Sequence, residues 1–145
     1  MNVKKFWIAF FVVFILLFLT DWLVHGVLLS STYDTEGIKE TFRSMEEMQS
    51  KMWVMWVMYL VWAFFFTFIF VKGYENKGIM EGIKFGIYIG LFYSFVSAYG
   101  NYVIYPIPYS LALQWFIYGL IQSVIFGVAV AAIYKPKPVA AKDNS

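Results

Sequence analysis

Asp21 and His25 are the carboxylate and the imidazole that fall inside an otherwise apolar segment, residues 6–29. Four positions apart, they share one face if the segment is helical. An aspartate at a bilayer centre costs roughly 2.5–3.5 kcal/mol on insertion scales, so such a residue is a candidate for a ligand or proton site. Asp21 lies sixteen residues after Lys5, about 24 Å along a helix, which places it towards the outer interface. There the same pair would serve equally as a hydrogen-bonded anchor for the outer loop, through Lys39, Arg43 or Lys51. A single histidine offers one axial ligand to a haem or a chlorophyll-type pigment. Uncharged polar groups that would extend a ligand site are Ser94, Ser97, Asn101, Gln114 and Gln122.

Met45, Met48, Met52 and Met55 recur at steps of three, four and three, with Tyr59 and Trp62 continuing the stripe. Thioethers are soft ligands suited to Cu(I), and with His25 they form a candidate copper set from His25, Met48, Met52 and Met55. Methionine is equally a pliable packing residue at helix interfaces. Gly78, Gly82, Gly86, Gly90, Ser94 and Ala98 recur every four residues, as do Gly119, Ser123, Gly127 and Ala131. Small residues at that spacing let helix backbones approach closely in lipid, so these two ladders are expected to pack, within the bundle or against a partner. Neither a nucleophile–base pairing nor a phosphate-binding glycine loop followed by Lys-Ser/Thr is present, so nothing in the sequence supports catalysis.

The elements that must carry these groups are set by composition. The chain has 145 residues, 61% hydrophobic, 23% aromatic and 14% charged, with a net charge of +2 and no cysteine. Soluble domains are about 45–50% apolar and about 25% charged, and a chain this short has too little core to hide the excess. The surplus must face lipid, and the small charge offers no footing for nucleic acid. A spanning helix needs about 20 apolar residues. Spans are expected at about 6–29, 52–71, 83–104 and 111–134, with the turn at Tyr105, Pro106, Ile107 and Pro108, where paired prolines remove backbone donors. The fold class is therefore an all-α membrane four-helix bundle, a single domain with a disordered tail at 135–145.

Eight basic residues lie in the N-terminus, the 72–84 loop and the tail. The 30–51 loop holds three, and the turn at Pro106 holds none. The positive-inside rule then puts both termini in the cytoplasm, in a plasma membrane of bacterial inner-membrane type. Within the outer loop, Ile38, Phe42, Met45 and Met52 alternate with charged residues at helical spacing, which predicts an amphipathic outer helix between spans one and two, capped by Asp34 or Thr35.

The second half resembles a group of small uncharacterised bacterial four-helix membrane proteins, a domain of unknown function. The likeness rests on Gly86, Gly90, Asn101, Leu113, Tyr118 and Gly127 with the short turn, over about sixty residues. Residues 34–52 depart from the pattern. The resemblance implies an integral membrane protein and supplies no activity.

Three functions follow as expectations. The first is a non-catalytic accessory or structural subunit that packs through its helices against other membrane subunits or itself. The second is a transporter or sensor that binds a small molecule or ion through Asp21, His25, Asn101, Gln114 and Gln122. The third is a metal or pigment carrier using His25 and the methionine stripe.

Overall fold

The computed structural model describes residues 1–135. Of the polar tail expected to be disordered, all but Lys135 lies outside the described residues. Four helices long and apolar enough to cross a membrane make up the protein: Val3–Leu28, Met52–Gly73, Ile79–Ile104 and Tyr109–Ile133. They form an all-α four-helix membrane bundle. One end carries the first residues, Lys135 and the 74–78 loop. The other, the loop end, carries residues 29–51 and the 105–108 turn.

Each span begins and stops for a local reason. The Asn2 side chain accepts a hydrogen bond from the Lys5 amide at 3.1 Å and caps the first span. The third stops at Tyr105, which is extended at φ −106°, ψ 143°, as the residue before a proline prefers. Between the second and third spans, the Glu81 carboxylate accepts from the backbone amides of Glu75 (2.6 Å) and Lys77 (2.9 Å) and closes the short loop.

The first and third spans are not uniform helices. Trp22–Leu28 and Gly90–Phe95 are π-helical turns, with the Leu29 amide donating to the Val24 carbonyl at 2.9 Å. Such turns insert a residue, widen the helix locally and concentrate at functional sites.

The third and fourth spans form the closest pair, and the small-residue ladders explain why. A Cβ added at Gly82 would overlap the Gly127 carbonyl, one at Gly86 the Ser123 carbonyl, and one at Gly127 the Gly82 carbonyl. Gly119 faces Ser94, and a Cβ on Gly90 would stand 2.7 Å from Leu120 Cδ1. Apolar burial cannot drive helices together in lipid, so this backbone proximity, with its dispersion contacts, holds the pair. Gly78 does not belong to the ladder. It caps the third span at φ +73°, a conformation that favours glycine, with nothing near its missing side chain.

The first span packs on both the second and the fourth. The second and third are spaced apart and bridged by rings: Phe66 and Phe70 hold Phe85 at 4.9 and 5.4 Å, and Trp62 meets Tyr93 at 6.2 Å. Towards the termini, Phe6, Phe10, Val13, Phe66, Phe70, Phe126 and Val130 make a continuous apolar core. A smaller cluster of Val24, Leu29, Ile107, Leu111 and Ala112 seals the loop end.

The outer loop differs from the single amphipathic helix its spacing predicts. It is broken into a helical turn at Ser30–Tyr33, a 3-10 turn at Lys39–Thr41 and a short helix at Met45–Ser50. Gly37 adopts φ +86° and Phe42 is extended at ψ 161°. Neither Asp34 nor Thr35 is the cap: the Ser44 hydroxyl accepts from the Glu47 amide at 3.3 Å. The reason is tertiary. Phe42, though exposed, rests edge-on against the rings of Tyr33 (5.5 Å) and Trp115 (6.4 Å), while Ile38 packs on the loop-end cluster.

Candidate functional site

Between the two apolar clusters lies a cavity of about 340 Å³, lined by all four spans. Asp21 stands between Leu17 and Val24 on the first span, and Gln122 between Ala112 and Phe126 on the fourth, so both occupy the layer the clusters leave open. Trp62, Tyr93 and Phe126 form the wall nearest the termini, with Trp62 and Phe126 in edge contact at 5.4 Å. Trp115 and Tyr118 close the side towards the loop. Ser94, Ser97 and Asn101 line the third-span side. The gap between the second and third spans is thus occupied by the cavity.

Asp21 is the centre of its hydrogen bonding. One oxygen accepts from the Tyr59 hydroxyl at 2.8 Å, and the other from Gln122 Nε2 at 2.8 Å. The same Gln122 nitrogen also donates to Thr20 Oγ1 at 2.9 Å. One carboxylate therefore ties the first, second and fourth spans. Asp21 lies seven residues before Leu28 on the first span and Tyr59 seven after Met52 on the second, each about 10 Å from the loop end. Gln122, thirteen residues after Tyr109, reaches the carboxyl from deeper in the fourth span.

His25 sits loop-ward on the π-helical turn. Its Nδ1 is 2.6 Å from the Tyr33 hydroxyl, which also accepts from Trp115 Nε1 at 2.7 Å. Burial pushes the Tyr33 hydroxyl up to about 12, so it keeps its proton throughout the physiological range.

Lys39, Arg43 and Lys51 are not the partners of this pair. Lys39 lies 4.0 Å from Asp34 and Arg43 3.9 Å from Glu47, both on the surface, and Lys51 is exposed. Rings and an amide hold Asp21 and His25 instead.

Of the five polar candidates, the fold brings four to one cavity: Asp21, His25, Asn101 and Gln122. Asn101 donates to the Ser97 carbonyl at 2.9 Å within its own helix. Gln114 does not line the cavity, and its buried Oε1 has no protein partner. Met48 lies exposed on the short helix Met45–Ser50, Met52 and Met55 lie exposed on the second span, and none reaches the cavity that His25 lines, where Met58 stands instead. Among the described residues no three His, Cys, Asp or Glu gather as a metal set. Tyr33, Tyr93, Trp115 and Tyr118 join the site without a sequence signal that sets them apart from other aromatic residues in this aromatic-rich chain.

Comparison with known proteins finds no matching family model, curated protein or solved structure.

Proposed function

We propose that this integral membrane protein binds a small molecule in the cavity at the level of Asp21. The observation that carries this reading is the convergence of Asp21, His25, Asn101 and Gln122, from three different spans, on one cavity. Its volume falls in the range of ligand sites, about 300–1,000 Å³, and an apolar lining with a few convergent polar groups is the common pattern of such sites. Both π-helical turns contribute to it, through Val24 and His25 on the first span and Tyr93 and Ser94 on the third. The reading is one of binding or transport rather than catalysis, because no serine lining the cavity is bonded to a base: Ser123 donates to the Gly119 carbonyl, and His25 is engaged by Tyr33.

The accessory-subunit reading has less to stand on. The glycine groove that would seat a partner helix is filled by the chain's own fourth span.

A library screen by thermal shift in detergent tests the site. Ser97 is exposed at the cavity and a bulky ring there fills the space. Ligands should stabilise the native chain, by about 2.7 kcal/mol at a hundred times Kd, and leave Ser97→Trp unmoved. Compounds that stabilise both alike, or none that stabilise the native chain, would reject the site.

We also propose that the protein crosses the membrane four times with both termini cytoplasmic, as the basic residues argue. Glu36→Cys should then react with an impermeant maleimide in intact cells and Lys77→Cys only after permeabilisation. The reverse pattern refutes the topology.

A further inference from the structure

We propose that the cavity accepts a hydrophobic organic cation, an ammonium-type centre carried on apolar substituents, with Asp21 as its counter-ion. The inference rests on the binding reading above and adds the ligand's charge and class.

Charge comes first. Asp21 is the only Asp, Glu, Lys or Arg that lines the cavity. Ion pairs among the described residues join Lys39 to Asp34, Arg43 to Glu47 and Lys77 to Glu75, all on the surface, and none reaches Asp21. His25 is not within ion-pair distance of it either, and its Nδ1 is engaged by Tyr33. The carboxyl is thus held by two neutral donors, Tyr59 and Gln122, and among the described residues no Lys or Arg pairs with it. In a low-dielectric layer, a cation brought by a ligand supplies what is missing.

The walls supply the second argument. Tyr59, Trp62, Tyr93, Trp115 and Tyr118 surround the carboxylate's cavity. Aromatic faces attract cations within about 6 Å of the ring centre, tryptophan most strongly, and aromatic cages are how proteins hold quaternary ammonium groups. Neutral ligands gain from the carboxylate at most a hydrogen bond, and anions meet it as a like charge with no Lys or Arg among the described cavity-lining residues to offset it.

Inorganic cations fit poorly. Calcium requires six to eight oxygen ligands and magnesium near-ideal octahedral geometry, whereas Asp21 is the sole carboxylate here, in a space of about 340 Å³ walled by rings. An amine lipid headgroup shares the ammonium chemistry, but its phosphate would find no basic side chain in the cavity.

Benzyltrimethylammonium and its uncharged isostere neopentylbenzene, in which carbon replaces the nitrogen, are the probes. Binding to the full-length protein in detergent is read by calorimetry, with Ser97→Trp giving the micelle background. The cation should bind at least about tenfold more tightly than the isostere, the range that carboxylate pairing and ring contacts together supply. Asp21→Asn should remove that preference. The comparison on the unmodified protein decides the matter alone should Asp21→Asn fail to fold. Repeating it in phosphatidylcholine and phosphatidylglycerol nanodiscs separates the sources. Competition by phosphatidylcholine alone assigns the cation to a lipid headgroup, and equal binding in both assigns it to a free ligand. If both probes bind alike and both are lost in Ser97→Trp, the site stands and the cationic class is overturned. If neither binds while the library screen yields only neutral or anionic cavity ligands, the class falls again. If neither binds and no library compound depends on the cavity, the site falls with it.

Discussion

Gly127→Ala should lower the stability of the bundle by about 3 kcal/mol, the upper part of the range for overpacking a tight contact. A single methyl group has this effect because of what it meets. The added carbon would overlap the Gly82 carbonyl and crowd the Gly86 amide on the third span, and those are backbone atoms. A crowding side chain can rotate away, but a helix backbone yields only by moving the whole helix. Gly82→Ala should do the same from the other side, against the Gly127 carbonyl and the Ala131 methyl. Gly90→Ala should cost less, since Leu120 Cδ1 can swing aside and the nearest backbone atom, Leu120 Cα, stands off at 3.0 Å. Gly100→Ala is the control. It adds the same methyl to the same span where nothing lies within 4 Å, and the better helix propensity of alanine should leave stability unchanged or raised by up to about 1 kcal/mol. Reversible unfolding in mixed micelles, followed by circular dichroism, measures all four. Equal effects at Gly127 and Gly100 would show that the close approach contributes nothing to stability.

The glycine contact was legible because its signal is a matched period. Two helices with small residues every fourth position predict one another, and only the exact pairing of Gly82 with Gly127 and Gly86 with Ser123 needed the structure. Long uncharged runs likewise made the four helices readable, and the prolines at 106 and 108 made their separation readable. The outer loop was misread for a physical reason. The spacing of Ile38, Phe42 and Met45 reports what a helix would bury if it lay alone on an interface. It carries no information about the rings of Tyr33 and Trp115, 82 residues apart in the chain, against which Phe42 rests. Asp21 and His25 stood out as costly residues in an apolar segment, and the cavity contains both. Their partners did not stand out. A tyrosine in a helix with five other aromatic residues within six positions, as Tyr59 is, gives no hint that its hydroxyl meets a carboxylate on another span. The π-helical turns were also invisible, since hydropathy does not resolve one inserted residue.

Tyr59→Phe should destabilise the bundle by about 1.5–3 kcal/mol, the range for a hydrogen bond to a charged group. The substitution removes one oxygen from a 2.8 Å contact and leaves the ring in place, so packing is nearly conserved. That magnitude distinguishes two strengths of bond. Interhelical hydrogen bonds between neutral groups in membrane proteins average only about 0.6 kcal/mol, because partners are also found in the unfolded state within the membrane. A loss near the larger figure therefore marks a bond of charge-assisted strength, and a loss near the smaller one an ordinary interhelical hydrogen bond. Asp21→Asn keeps the shape, removes the charge and replaces one acceptor by a donor, so the Tyr59 hydroxyl and the Gln122 amide can no longer both donate to it. A double-mutant cycle between Tyr59→Phe and Asp21→Asn isolates their coupling, expected at the upper part of the 0.5–3 kcal/mol seen for residues in one network. Gln122→Leu provides the third corner, since its Nε2 serves Asp21 and Thr20 together. If it couples to Asp21 as strongly as Tyr59 does, the carboxylate is the joint of three spans, and the aspartate that organises the cavity is the one whose charge a ligand would meet. Additive losses at all three positions would dissolve the network into independent contacts and remove the physical basis for a preformed anionic site.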